Sequence, residues 1–86
     1  LVRINGISKK GDEILKIRDD TIAIKIDVER HELKVLQGIN NLLVSNKVIL
    51  QVELFESRRE IIENYLNNKG FKKFDCIERD YYFKNF

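Results

Sequence analysis

Between Ile22 and Leu43 the spacing of the apolar residues changes period once, and that change limits the folds open to this chain. Ile22, Ile24, Ile26 and Val28 take every second position, the pattern of a strand with one apolar face, while Ala23, Lys25 and Asp27 fall on the other. From His31 the apolar positions are Val35, Leu36, Ile39, Leu42 and Leu43, three or four apart, which predicts one helix ending near Ser45-Asn46. The switch falls at Glu29-Arg30. Val48 to Phe55 is short and nearly continuous in apolar residues, which predicts a strand covered on both faces. A strand, a helix and a strand in that order specify parallel neighbours joined by a right-handed crossover.

The remaining elements follow from local signals. Ser57 and Glu60 have the S-x-x-E spacing of a capping box, and Ile61, Ile62, Tyr65 and Leu66 supply an apolar helix face. Gly70 is placed to end that helix in a left-handed conformation. Phe71 to Ile77 and Tyr81 to Phe86, joined through Glu78-Arg79-Asp80, predict two antiparallel strands. Upstream, Leu1 to Asn5 reads as a strand, Asn5-Gly6 as a turn and Gly11 to Arg18 as a short helix. Gly38 lies inside the first helix, where packing against the sheet would explain the missing side chain. The fold class is α/β, with the order strand, helix, strand, helix, strand, strand and a C-terminal antiparallel hairpin.

With 86 residues the chain supports one small domain, and its share of charged residues, 35%, fits a folded protein. The net charge of +2 comes from lysines and arginines interspersed with acids, so nothing demands a nucleic acid or an anionic membrane. No apolar run approaches the ~20 residues of a membrane span. Cys76 is the sole cysteine, which excludes an intrachain disulfide and a cysteine-based metal site and makes the cytoplasm the expected compartment. The chain begins at Leu1 and has no methionine, which reads as a piece of a longer polypeptide.

The run from Ile24 to Gly38 resembles the strand-to-helix signature of the FkbM family of methyltransferases, K-I-D-V-E-G-x-E-x-x-V-L-x-G. Lys25, Ile26, Asp27, Val28, Glu29, Glu32, Val35, Leu36 and Gly38 match it in order, and Arg30 stands where the family has glycine. The likeness continues more loosely through Val48 to Leu54, Gly70-Phe71 and the aromatic tail, so residues 21–86 form the family-like region and 1–20 an N-terminal segment of less definite assignment. The resemblance implies the C-terminal half of a class I, Rossmann-like methyltransferase sheet. It also implies an intact parent that uses S-adenosylmethionine to methylate an oxygen, ahead of a nitrogen, of a small molecule or sugar. The glycine-rich loop and the acidic residue that hold that cofactor belong to the family's first half. Neither is present here, so the chain alone is expected to bind no cofactor and to be inactive.

Ligands of open parallel sheets bind beyond the carboxyl ends of the strands, which selects Asp27, Glu29, His31 and Glu53. Methylation of a hydroxyl needs a base as the oxygen attacks, and the resemblance makes Asp27, Glu29 and His31 candidates for that base and for holding the acceptor. Asp27 and Glu29 could instead cap the following helix, and His31 could be an ordinary helix-start residue. The three match no dedicated metal motif, so no metal is expected. Lys25, Arg30 and Glu53 are weaker candidates for contacting substrate. Lys25 either pairs with a carboxylate or lays its stem along the sheet with its head in water. Arg30 either strains or obstructs a site built for glycine, or grips an acidic acceptor. Arg58-Arg59 has the look of a phosphate clamp but fits a solvated helix start better. Tyr81, Tyr82, Phe83 and Phe86 lack the consensus of a base-stacking sheet and fit apolar cover, so no nucleic-acid partner is expected. The rival account is a non-catalytic α/β interaction module. It would form a homodimer or another association through an exposed sheet edge, the edge of the Ile22 strand above all.

Overall fold

The computed structural model describes residues 2–4 (backbone only), 18–27 and 31–86. Val28, Glu29 and Arg30, the Asn5-Gly6 turn and nearly all of the expected Gly11–Arg18 helix lie outside them. The described elements are strands β1 (Val2–Ile4) and β2 (Thr21–Ile26), helices α1 (Glu32–Gly38) and α2 (Asn40–Ser45), strand β3 (Lys47–Glu53), helix α3 (Glu56–Asn68), and strands β4 (Lys72–Ile77) and β5 (Asp80–Lys84). They build a mixed sheet in the order β1-β2-β3-β5-β4. β1, β2 and β3 run parallel, and β5 is antiparallel to both β3 and β4. The alternation of strands and helices and the final hairpin are as the sequence predicts. The edge of β2 expected to be bare carries β1, paired from Ile24 to Ile26.

Register explains why one core forms. Ile24 lies opposite Leu50 and Ile26 opposite Val52, while Leu50 and Val52 face Phe83 and Tyr81 on their other side. Because side chains alternate across a strand, these six and Val48 share one face. All seven are buried, in one cluster with Val35 and Leu36 of α1, Leu42 and Leu43 of α2, and Ile62 and Leu66 of α3. The three helices therefore cover the same side of the sheet. On the opposite side Ala23, Lys25, Ile49, Gln51 and Tyr82 are only half-buried, so β3 is not covered on both faces as its composition suggests. Ile61 is exposed too, leaving Ile62, Leu66 and the partly buried Tyr65 as the contact face of α3.

The single helix expected after β2 is two, broken at Ile39 (φ −103°, ψ 19°) directly after Gly38. Hydrogen bonds from Ile39 N–H to the Val35 carbonyl and from Leu43 N–H to the Ile39 carbonyl bridge the break, so both halves keep their apolar residues in phase. The packing explanation for Gly38 fails, because a Cβ there would meet no atom within 4 Å. The Ser57–Glu60 capping box is also absent. α3 starts two residues earlier, with Phe55 as its cap and no side-chain capping bond. The carbonyl of Phe55 takes the N–H groups of Arg58 and Arg59, and Glu56 places a carboxylate in the first turn, where the helix dipole favours it.

Gly70 ends α3 as expected, at φ 86°. Its N–H donates to the Asn67 carbonyl and that of Phe71 to Leu66, the paired bonds of a Schellman motif, with Phe71 and Leu66 both buried. The hairpin turns on Glu78 and Arg79, Glu78 at φ 56°. At the other end of the sheet two asparagines tie the chain together. The Asn85 Oδ1 accepts from Val48 N–H at 2.7 Å, and its Nδ2 donates to the carbonyls of Leu43 at 3.1 Å and Asn46 at 2.9 Å. The Asn46 side chain donates to the Leu42 carbonyl at 2.9 Å and accepts from Asp20 N–H at 3.0 Å.

Two substitutions check this account by urea denaturation. Asn85→Ala removes three hydrogen bonds to partly buried backbone groups and is expected to cost about 1–3 kcal/mol, whereas an unchanged midpoint would show that water replaces them freely. Gly38→Ala is expected to raise stability by about 0.5–1 kcal/mol, and a loss would mean that the break after Gly38 needs glycine.

Candidate functional site

The carboxyl ends of β2 and β3 lie side by side, with Ile26 opposite Val52. Asp27 leaves β2 immediately afterwards and Glu53 closes β3; both are exposed. The structure thus brings these two carboxylates to adjacent strand ends, as the sequence predicts. It adds a third, Asp80, which lies opposite Glu53 in β5 and which the sequence reading placed in a turn. His31 is exposed at the start of α1 and acts as its cap residue (φ −116°) without a side-chain capping bond. Glu29 and Arg30 fall outside the described residues.

The side chains of Asp27, His31 and Glu53 make no hydrogen bond or ion pair with another described residue. Asp27 is therefore not a cap of α1. Lys25 is half-buried in mid-strand, between Arg3 and Gln51 in register, and no described carboxylate lies within ion-pair distance.

Behind these exposed groups sits a charge pair that the sequence reading missed. Glu32, the first residue of α1, has a side chain only 3% exposed, and its Oε1 lies 3.6 Å from Nε of Arg58 in the first turn of α3. Neither atom has a hydrogen-bond partner. The signal was available: Glu32 precedes Val35 and Leu36 by three and four residues, and Arg58 precedes Ile62 by four, so each extends an apolar stripe backward.

Arg58-Arg59 does not form a phosphate clamp, because carboxylates engage both residues. Arg59 lies 3.2 Å from Glu56 and 3.4 Å from Glu63, and these contacts, the hydrogen bond to Glu56 first, raise its pKa. Glu63 also holds Lys73 of β4 in an ion pair at 2.8 Å, and that contact raises the pKa of the ammonium. Tyr81 and Phe83 are buried in the core, and burial raises the pKa of the Tyr81 phenol. Tyr82 is half-buried and Phe86 exposed, so the tail covers the sheet only in part.

Among the described residues no group of three His, Cys, Asp or Glu could hold a metal ion, and no helix is long and apolar enough to cross a membrane. Of the four glycines, Gly38 ends α1 and Gly70 follows α3. Gly6 and Gly11 lie outside the described residues. No protein-family model matches the chain, and no curated protein or solved structure matches it significantly.

Exposed side chains without partners contribute little to folding. Asp27→Asn and His31→Gln are each expected to change the unfolding free energy by less than ~0.5 kcal/mol in urea titrations. A loss above ~1 kcal/mol for Asp27→Asn would restore its reading as a helix cap.

Proposed function

We propose that the chain is the C-terminal half of an FkbM-like, S-adenosylmethionine-dependent methyltransferase domain whose intact parent methylates an oxygen of a small molecule or sugar. The observation that carries this reading is the ordered match from Lys25 to Gly38, with its acidic residue Asp27 exposed at the carboxyl end of a parallel strand. That is where an open α/β sheet holds its ligands. The strand order β2-β3-β5-β4, with the C-terminal strand inserted antiparallel, supports the same Rossmann-like assignment. In the parent, Asp27, Glu29 and His31 would take the proton of the acceptor hydroxyl and orient it, while Glu53 and Arg30 would contact the acceptor's periphery. The residues present do not fit the cofactor, which the chain preceding this segment must hold.

The test uses the longer polypeptide that carries this segment, with radiolabelled S-adenosylmethionine and a panel of hydroxylated small molecules and sugars. Label transfer is expected for the parent and not for the 86-residue chain. Replacing the general base, by Asp27→Asn or His31→Gln, should lower kcat by about 10²–10⁴-fold with unchanged thermal stability. A parent that transfers no label, or that is indifferent to both substitutions, would contradict the assignment.

The rival reading, association through a sheet edge, draws on β4, whose six residues are all exposed, Phe74 at 49% and Ile77 at 56%. Lys72, Lys73 and the irregularity between Lys73 and Asp75 are features that keep edges from pairing, which is why it ranks second. A dimer of the isolated chain in light scattering would favour it, and a monomer at high concentration would remove it.

A further inference from the structure

Residues directly opposite one another in neighbouring strands carry their side chains on the same face. On the face that no described helix covers, register therefore sets out rows that cross the strands. At the amino end of β3, Lys72, Lys84 and Ile49 form one row. At its carboxyl end, Ile77, Asp80 and Glu53 form another. Between them lie Tyr82 and Gln51, flanked by Asp75 and Lys25, whose charges cancel. Charge on this face thus runs from basic to acidic along the strands. Lys72 stands beside Lys84 and Glu53 beside Asp80, and like charges directly opposite each other destabilise a sheet. None of the four has an ion pair with a described residue. The Lys84 Nζ lies instead 5.2 Å from the ring centre of Phe74 and 5.7 Å from that of Phe86. Phe74 in turn meets Tyr82 with ring centres 6.3 Å apart, so apolar surface joins the two charged rows.

This pattern is complementary to itself. A two-fold axis that runs across the strands at the level of Tyr82 lays a second copy face to face on the first with its strands reversed. The basic row of each copy then meets the acidic row of the other, Lys84 against Asp80, with Phe74 and Tyr82 between the rows. A two-fold axis along the strands would bring like rows together. We propose that this open face is the docking surface for a second copy of the chain, packed sheet on sheet as an isologous dimer. Charge complementarity selects both the occupant and the axis, and docking relieves the two like-charge pairs at once. The contact uses the face of the sheet and leaves the β4 edge free, so it differs from edge pairing. It does not rest on the methyltransferase reading.

The test is light scattering of the 86-residue chain over a range of concentrations at low and high salt. The mass is expected to rise from 10.2 kDa toward twice that value, and to rise less at high salt. Lys84→Glu and Asp80→Lys each set like charges against each other across the axis and are expected to raise the dissociation constant more than about tenfold. Each also gives the single chain an opposite-charge pair across its strands, with Lys72 or with Glu53, so urea unfolding of the monomer should show no loss of stability. The double variant Lys84→Glu/Asp80→Lys restores opposite charges across the axis and is expected to dimerise more tightly than either single variant. An unmodified chain that stays monomeric at every concentration would overturn the proposal and leave the face to another occupant, the polypeptide preceding this segment in the parent included. A dimer that neither single substitution weakens would also overturn it and transfer the association to the β4 edge. No methyl transfer is measured, so neither result bears on the methyltransferase reading.

Discussion

The structure depends on one side of the sheet being buried and the other not. Strand alternation commits Ile24, Ile26, Val48, Leu50, Val52, Tyr81 and Phe83 to a single face, and a shift of one residue in any of these strands would turn its apolar set toward water. The helices have no freedom to dock elsewhere, since their apolar stripes end in the same cluster. Burial of each large apolar side chain contributes roughly 1.5–3 kcal/mol, which a small domain needs to offset the entropy of ordering its chain. Once register and docking are fixed, the carboxyl ends of β2 and β3 must lie together, with Asp27 and Glu53 side by side.

Two polar devices hold the ends of this layer, and they differ in kind. At the amino end of β3, Asn46 and Asn85 satisfy backbone groups that the sheet and helices leave over, with bonds of 2.7–3.1 Å. Neutral amides in such a role stabilise without a large desolvation cost. At the carboxyl end, Glu32 and Arg58 are charged, longer apart and without hydrogen bonds.

Much of this was legible in the residues. The period change near Glu29-Arg30, the β-branched alternation of β2 and the glycine after α3 each express a local rule that the tertiary structure does not override. What was not legible depended on competition between rules. Ser57 and Glu60 have the spacing of a capping box, yet the helix starts at Glu56 with Phe55 as its cap. Ile49 and Gln51 belong to an apolar run, but among the described residues no helix covers their side of the sheet. Gly38 looked like a packing glycine because its surroundings cannot be read from a helix pattern. For the candidate site, strand-end placement selected Asp27, Glu29, His31 and Glu53, of which the structure sets Asp27 and Glu53 at adjacent strand ends. Glu32 escaped notice because a carboxylate on an apolar stripe is normally expected to be exposed.

The central claim is that these residues complete a larger catalytic domain, and the mass of the native gene product tests it most directly. The account predicts a product much larger than 10.2 kDa, with a glycine-rich strand-to-helix turn upstream of Leu1. A native product of about this mass would leave no place for the cofactor and would contradict the account.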